Sequence, residues 1–268
     1  MKNKITIAIP CYNVENYIRQ TIRSVLNQTY KNFSLIIVDN SSRDKTLKIA
    51  KEFKDKRIKI YQNKKNIGMF QNMNKCIELT KTPYLKILCA DDLIEVDLLE
   101  KHMIILEKYP GVNLVYSASK IVNRNNKIMF IRKYFKKNKK INGGVLINLI
   151  LKSGRNPIGE PSNVTLRVSV LKKYNFKFNI NFKYISDLDL WINVLKYGDA
   201  YYINSPLSSF RIHNTSNTVS LFKKAVKEHS NLISIYSDEF NLNLLDIIFI
   251  NIKLYLNMII KSFLMKFI

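Results

Sequence analysis

Glycine and proline are scarce in this chain of 268 residues, at 7 and 6 residues respectively. That excludes fibrous and low-complexity architectures, and no internal repeat at solenoid spacing is present. Cysteine is scarcer still: Cys11, Cys76 and Cys89 have no metal-site spacing and form no C-x-x-C pair. An odd, sparse set fits a reducing compartment. The amino-terminal apolar run from Ile5 to Ile9 is too short for a secretory leader, and no stretch reaches the 18 uncharged apolar residues of a spanning helix. The expected location is cytoplasmic.

Acidic residues are also few, 20 against 44 basic ones, which leaves a formal net charge of +24. Three readings of that excess stand side by side: nucleic-acid binding, attraction to an anionic membrane surface, and a compositional bias toward Lys, Asn and Ile. Lysine far outnumbers arginine, whereas phosphate-clamping sites favour arginine, so nucleic acid is not an expected partner.

What is present is a folding sequence. Hydrophobic residues make up 47% and aromatic residues 11%, enough for a sizeable core and one compact domain with an appendage. The first 120 residues alternate strand and helix. Strands are expected at 5–10, 33–40, 57–63, 84–89 and 113–119, with helices at 16–28, 41–53, 69–80 and 97–109. This alternation predicts βαβ units and a mainly parallel, Rossmann-like sheet flanked by helices. Beyond it the pattern predicts a basic, mobile loop at 132–144, helices at 145–152 and 186–198, and a strand running into a helix over 163–174. Two short strands are expected around Pro206, and the tail from Thr218 should be helical.

Parallel sheets bind ligands beyond the carboxyl ends of their strands. That rule selects Pro10–Asn13, Asp39–Ser42, Asn63–Gly68 and the acidic pair Asp91-Asp92, which closes the apolar run 87–90. An acidic pair there either opens the next helix at its positive dipole end or holds a cation.

Four segments, "IAIPCYNVENYIRQTIRSVLNQTY", "LIIVDNSSRDKT", "NKKNIGMFQNMNKCIELTKTPYLKILCADDL" and "YISDLDLW", occur in an order that resembles the family-2 glycosyltransferases of the GT-A fold, over roughly residues 4–215. The resemblance implies an inverting, metal-dependent transfer of a sugar from a nucleotide diphosphate donor, UDP by default, to a hydroxyl of a glycan or lipid-linked glycan acceptor in cell-surface polysaccharide synthesis. It implies Mn²⁺ or Mg²⁺ as cofactor, with Asp92 as main ligand and Asp91 toward the ribose or metal shell. Cys89 stands where a first acid is common. Asp39, Pro10 and Tyr12 would seat the nucleotide, with Asn66 and Gly68 forming a turn against the donor. Asp187 would be the base that takes the acceptor proton, Ser186 replacing the usual Glu. His213 is a candidate metal ligand, with a surface histidine as the alternative, and Arg211 or Asn214 would lie near phosphate. Pro161, Ser162 and Asn163 would line the acceptor pocket.

The implied boundaries are 1–217 for the catalytic domain, divided into a nucleotide-sugar half (1–119) and an acceptor half (120–217), and 218–268 for the tail. That tail is apolar but broken by Asp246, Lys253, Lys261 and Lys266. It reads either as an interfacial helix at the inner membrane face or as a helix packed on the catalytic domain or a second copy. Two rival functions, a sugar nucleotidyltransferase and a non-catalytic nucleic-acid binder, fit less well. "PCYNVEN" lacks a triphosphate loop, and basic charge alone gives no reason for acids at the sheet ends.

Overall fold

The computed structural model describes residues 3–212 and 222–264, with side chains of the second stretch over 225–256. A ten-stranded sheet runs through the molecule in the order β3-β2-β1-β4-β9-β6-β10-β5. Its left half is the expected parallel unit: β1 (Ile5–Cys11), β2 (Phe33–Asp39), β3 (Ile58–Gln62) and β4 (Tyr84–Ile87). The right half is mixed. β9 (Val164–Arg167) is antiparallel to both β4 and β6 (Val112–Asn123), while β6 and β10 (Asp199–Ile212) run parallel. The long strands other than β9 therefore share one direction, and their carboxyl ends share one edge. Three short strands fill in: β5 (Leu93–Ile94) and β8 (Lys139–Ile141) pair with β10, and β7 (Ile128–Arg132) pairs with β6.

The period-2 alternation of the strands sorts the core into two layers. Ile5, Ile7 and Ile9 of β1 and Phe33, Leu35 and Ile37 of β2 face one side, where α1 (Ile18–Leu26), α2 (Thr46–Lys51) and α4 (Leu98–Lys108) cover them. Ala8, Ile36 and Val38 face the other, beneath α3 (Met69–Leu79), α5 (Gly143–Ser153), α6 (Val168–Lys173) and α7 (Ser186–Leu195). Both faces of these strands are buried, which is why their sequences read as nearly unbroken apolar runs.

Two expectations are corrected. Where two short strands are expected there is one long one, Asp199–Ile212, because Pro206 sits at a register shift against β6 that accommodates its missing N–H. The basic stretch 132–144 is no loose loop: β8 lies within it, and Phe135 packs edge-on against Tyr202.

The tail packs on the body. α8 (Phe222–Tyr236) and α9 (Leu244–Leu264) bury Leu232, Ile233, Tyr236, Ile250 and Leu254 in the layer that holds Trp191. Leu254 approaches Gly154 so closely that a Cβ there would meet it at 2.8 Å. The other side of α9 exposes Leu245, Ile248, Phe249, Ile252, Tyr255 and Leu256, an arc of about 120° at helical spacing.

Candidate active site

The acid turn follows β4. Ala90 and Asp92 direct their carbonyl oxygens at Thr21 Oγ of α1, 2.8 and 2.9 Å away, so the turn is tied to the first helix. Asp92 is only 1% exposed. Its Oδ2 accepts from Ser162 Oγ at 2.5 Å and its Oδ1 from the Arg211 backbone N–H at 2.9 Å. Burial first, and then the neighbouring Asp91 charge, push its carboxyl well above the usual range. A carboxylate with both oxygens engaged in this way braces the turn. Of the two acids, Asp92 is the buried one with both oxygens engaged, and Asp91 is half-buried.

Arg211 is also a support. Its Nε donates to the Asp91 carbonyl at 2.6 Å, its Nη1 donates to Asn126 Oδ1 at 2.5 Å, and its guanidinium lies 4.8 Å from the Tyr17 ring centre. With 1% exposure it does not present itself to a phosphate as expected. His213 and Asn214 lie outside the described residues.

The segment Pro161–Asn163 likewise differs from its expected role as pocket lining. Ser162 and Asn163 are 2% and 3% exposed. Besides bonding Asp92, Ser162 Oγ accepts from the Cys89 N–H at 3.0 Å, and the Asn163 amide bridges Ser117 and Ile158. Beneath them lies Lys86, fully buried, whose Nζ donates to the Ser162 carbonyl at 2.6 Å. Burial brings that ammonium down to about 7, against the pull of Asp92.

Just past β1, Tyr12 is 40% exposed, and Pro10 pairs with Val38 one residue before the strand ends at Cys11. Asp39 is fully buried, its Oδ2 accepting from the Ser42 N–H at 3.1 Å, so it pins the turn that carries Ser41 at φ 63°. A set of asparagines holds the third turn. Asn40 Nδ2 donates to Asn66 Oδ1 at 2.8 Å, and Asn40 Oδ1 accepts from Asn63 Nδ2 and from the Ile67 N–H. Asn72 Nδ2 closes onto the Val38 carbonyl. Gly68 has φ +90° with open space around its Cβ position, so backbone conformation, not crowding, requires glycine there.

Asp187 opens α7, half-buried, its Oδ1 accepting from the Leu188 N–H at 2.8 Å. Burial, and then the Glu160 charge, push its carboxyl up to about 7. Asp189 points elsewhere, its Oδ1 accepting from Tyr236 Oη at 2.8 Å, so only one acid of the motif faces the site. Glu228 of α8 accepts the N–H groups of Lys183, Tyr184 and Ile185, which fixes the chain just before Asp187.

Sequence reasoning missed Glu160. Its charge raises the carboxyl of Asp187 and, as the smallest of the causes, that of Asp92. Arg132 at the end of β7 grips it with a fork: Nη1 donates to Oε1 at 2.9 Å and Nη2 to Oε2. An open depression lined by Lys31, Lys54, Asp55, Lys56 and Arg57 lies at the opposite, amino-terminal ends of β2 and β3 and brings none of these groups together.

Among the described residues no group of three or more His, Cys, Asp or Glu is placed to hold a metal. A hard divalent ion that keeps water and diphosphate oxygens needs only one or two protein carboxylates, and Asp91 meets that requirement.

Residues 6–174 match the model of Glycosyl transferase family 2. The chain belongs to that family. Among curated relatives, an uncharacterized glycosyltransferase of Rickettsia typhi is 30% identical over 80% of this chain and 65% of its own length. WfaP of Escherichia coli, a UDP-Glc:alpha-D-GlcNAc-diphosphoundecaprenol beta-1,3-glucosyltransferase, is 29% identical over 86% of each chain. Among solved structures, S. aureus TarS 1-349 in complex with UDP-GlcNAc superposes with a TM-score of 0.72 at 18% identity, over 87% of this chain and 66% of that one. The mannosyltransferase PcManGT of Pyrobaculum calidifontis, in complex with GDP-Man and Mn2+, gives 0.62 at 14% identity over 87% and 64%. The fold of this family-2 chain is GT-A, and the chain spans about two thirds of the length of the first of these relatives.

Proposed function

We propose that this family-2 chain transfers a sugar, with inversion, from a nucleoside diphosphate donor to a hydroxyl of a lipid-linked or cell-surface glycan. The observation that carries this reading is the Asp91-Asp92 turn at the carboxyl edge of the parallel strands in a chain whose residues 6–174 match the family, with Asp187 opening α7. In the reaction the acceptor oxygen forms its bond to the anomeric carbon as the carbon–oxygen bond to the diphosphate breaks. The leaving diphosphate keeps the electron pair, and the acceptor proton passes to Asp187. A carboxylate that titrates near neutrality suits that task better than one at the ordinary value.

Asp91 would hold Mn²⁺ or Mg²⁺, which when bound neutralises charge on the leaving diphosphate. Asp92, braced by Ser162 and Arg211, keeps Asp91 in place. Tyr12 offers a face to the base, and buried Asp39 holds the turn against which the nucleoside sits. UDP is favoured because WfaP is named for a UDP-linked donor and TarS was solved with one. WfaP's diphosphoundecaprenol acceptor favours a lipid-linked acceptor here as well.

No helix among the described residues is long and apolar enough to cross a membrane. The apolar arc of α9, with exposed Lys253 at its rim and a net charge of +24 behind it, is suited to lie on an anionic bilayer. On this reading residues 1–217 are the catalytic domain and 218–268 its docking tail. Flotation with anionic vesicles, lost on Phe249→Ser, is expected; flotation unchanged by that substitution, or self-association through the same face, overturns the tail's role. For the reaction, a screen of nucleotide-sugars with Mn²⁺ should yield one donor that releases free nucleoside diphosphate and raises the melting temperature. If no donor does either, the enzymatic reading fails.

A further inference from the structure

The ion pair between Arg132 and Glu160 sits inside a loop that leaves it little freedom. Asn156 Oδ1 accepts the N–H groups of Ile158 and Gly159 at 3.1 and 2.8 Å, and Asn163 Nδ2 donates to the Ile158 carbonyl at 2.8 Å. Gly159 has φ +93°, and a Cβ there would stand 2.6 Å from Arg132 Nη2, so both the backbone and the pair demand glycine. From below, Arg132 Nε donates to Ser119 Oγ at 3.1 Å, across the β6–β7 register.

The same loop is bolted to the helix of the base. Trp191, 1% exposed, donates from Nε1 to the Gly159 carbonyl at 3.1 Å. Asp187 and Trp191 are four residues apart and so share one face of α7. The bond that seats Trp191 on Gly159 therefore turns Asp187 toward Glu160, the next residue in the loop.

We propose that Arg132 and Glu160 are positioning residues for the base: the arginine fork fixes an ionised carboxylate beside Asp187, and that charge sets how firmly Asp187 holds the proton taken from the acceptor. The inference rests on the reading of Asp187 as base. Two further groups bear on it. Tyr184, just before α7, feels the charges of Asp187 and Glu160, and Tyr134 feels Arg132, Glu160 and Arg155. Both are phenols raised above their usual value by burial, and neither carries charge at neutral pH. Glu228 spends its carboxylate on the amides of residues 183–185. Glu160 acts on the base with a negative charge that raises it, and Arg132 with a positive one that lowers it by less.

The test is a carbon-13 NMR titration of the full chain labelled at its aspartate carboxyls, with the Asp187 signal assigned by its loss in Asp187→Asn. The wild-type signal is expected to titrate near 7. In Glu160→Gln its midpoint should fall by about one pH unit or more, and in Glu160→Asp, which keeps the charge, it should stay raised. Should the single variant fail to fold, the double variant Arg132→Gln/Glu160→Gln leaves no unpaired charge, and its midpoint should still fall, by less. A midpoint unmoved in the folded variants overturns the inference. Failure of the underlying reading looks different: Asp187→Asn would then retain transfer, whatever the titration shows.

Discussion

The two halves of the site are built from different chemistry. Around the proposed nucleotide position, the turns after β2 and β3 are tied to each other by neutral amides, Asn40, Asn63, Asn66 and Asn72 bonding one another and the backbone. Around the proposed acceptor position, the loop before β9 is held by a charged fork, Arg132 on Glu160, beside a carboxylate that resists ionisation. Neutral networks fix geometry without setting a field, which suits a surface that must accept a doubly charged diphosphate. Charged pairs in half-buried surroundings fix geometry and set a field at once, which suits a group that must take and release a proton.

The largest effect is expected on the acceptor side. Asp187→Asn should lower turnover by roughly 10²- to 10⁴-fold while leaving donor affinity near the wild-type value, measured by product release and by calorimetry. The same substitution should stabilise the protein in a pH-dependent way. Asp187 has its folded-state pKa raised from 3.8 to about 7, so the folded chain binds the proton more tightly than the unfolded one, and stability falls as pH rises through that window. The variant should be more stable than wild type at pH 8, by on the order of 2–4 kcal/mol, and no more stable at pH 3. A variant destabilised at pH 8 would show that the carboxylate is held by bonds, and the contrast between the halves would fail.

Next comes the amide network. Asn40→Ala removes four hydrogen bonds at a residue 2% exposed and should cost about 2–3 kcal/mol, read from chemical denaturation, with a raised KM for the donor and little change in kcat. A fall in kcat at unchanged KM would mean that the neutral turns also act on the chemical step.

Ser162→Ala joins the halves, since it leaves Asp92 Oδ2 and the Cys89 N–H without their partner. A loss of about 1–3 kcal/mol is expected, visible as a lower melting temperature. The smallest effect belongs to Glu228→Gln, which weakens the anchor of residues 183–185 and should slow transfer a few-fold, at a cost of about 1 kcal/mol in stability.

The same contrast explains what could be read in the sequence. The strand ends of the first 120 residues were legible because these strands are apolar runs that end in a polar residue, and a parallel sheet puts such ends on one edge. Asp39, Asn66, Gly68 and the acid pair all fell where that rule places them. Which acid of the pair meets a ligand was not legible, because it depends on Ser162 and Arg211, residues 70 and 119 positions away that reach Asp92 only through the sheet. Glu160 was invisible for a similar reason. It stands in an irregular loop, and its partner, 28 residues earlier, is brought to it by the pairing of β7 with β6. The glycine before it and the proline after it were the only local signals, and neither names a partner. The tail was half legible: its apolar periodicity was plain, but sequence alone did not show that Ile250 and Leu254 take the inner side and leave the arc of Phe249 outside.

The central claim is that Asp91, braced by Asp92, is the carboxylate that gathers a metal-bound diphosphate. Calorimetric titration of UDP with and without Mn²⁺ tests it most directly, in wild type, Asp91→Asn and Asp187→Asn. The account predicts that Mn²⁺ tightens UDP binding at least tenfold in wild type and in Asp187→Asn, and that Asp91→Asn loses this gain while remaining folded. Equal enhancement by Mn²⁺ in Asp91→Asn would contradict it.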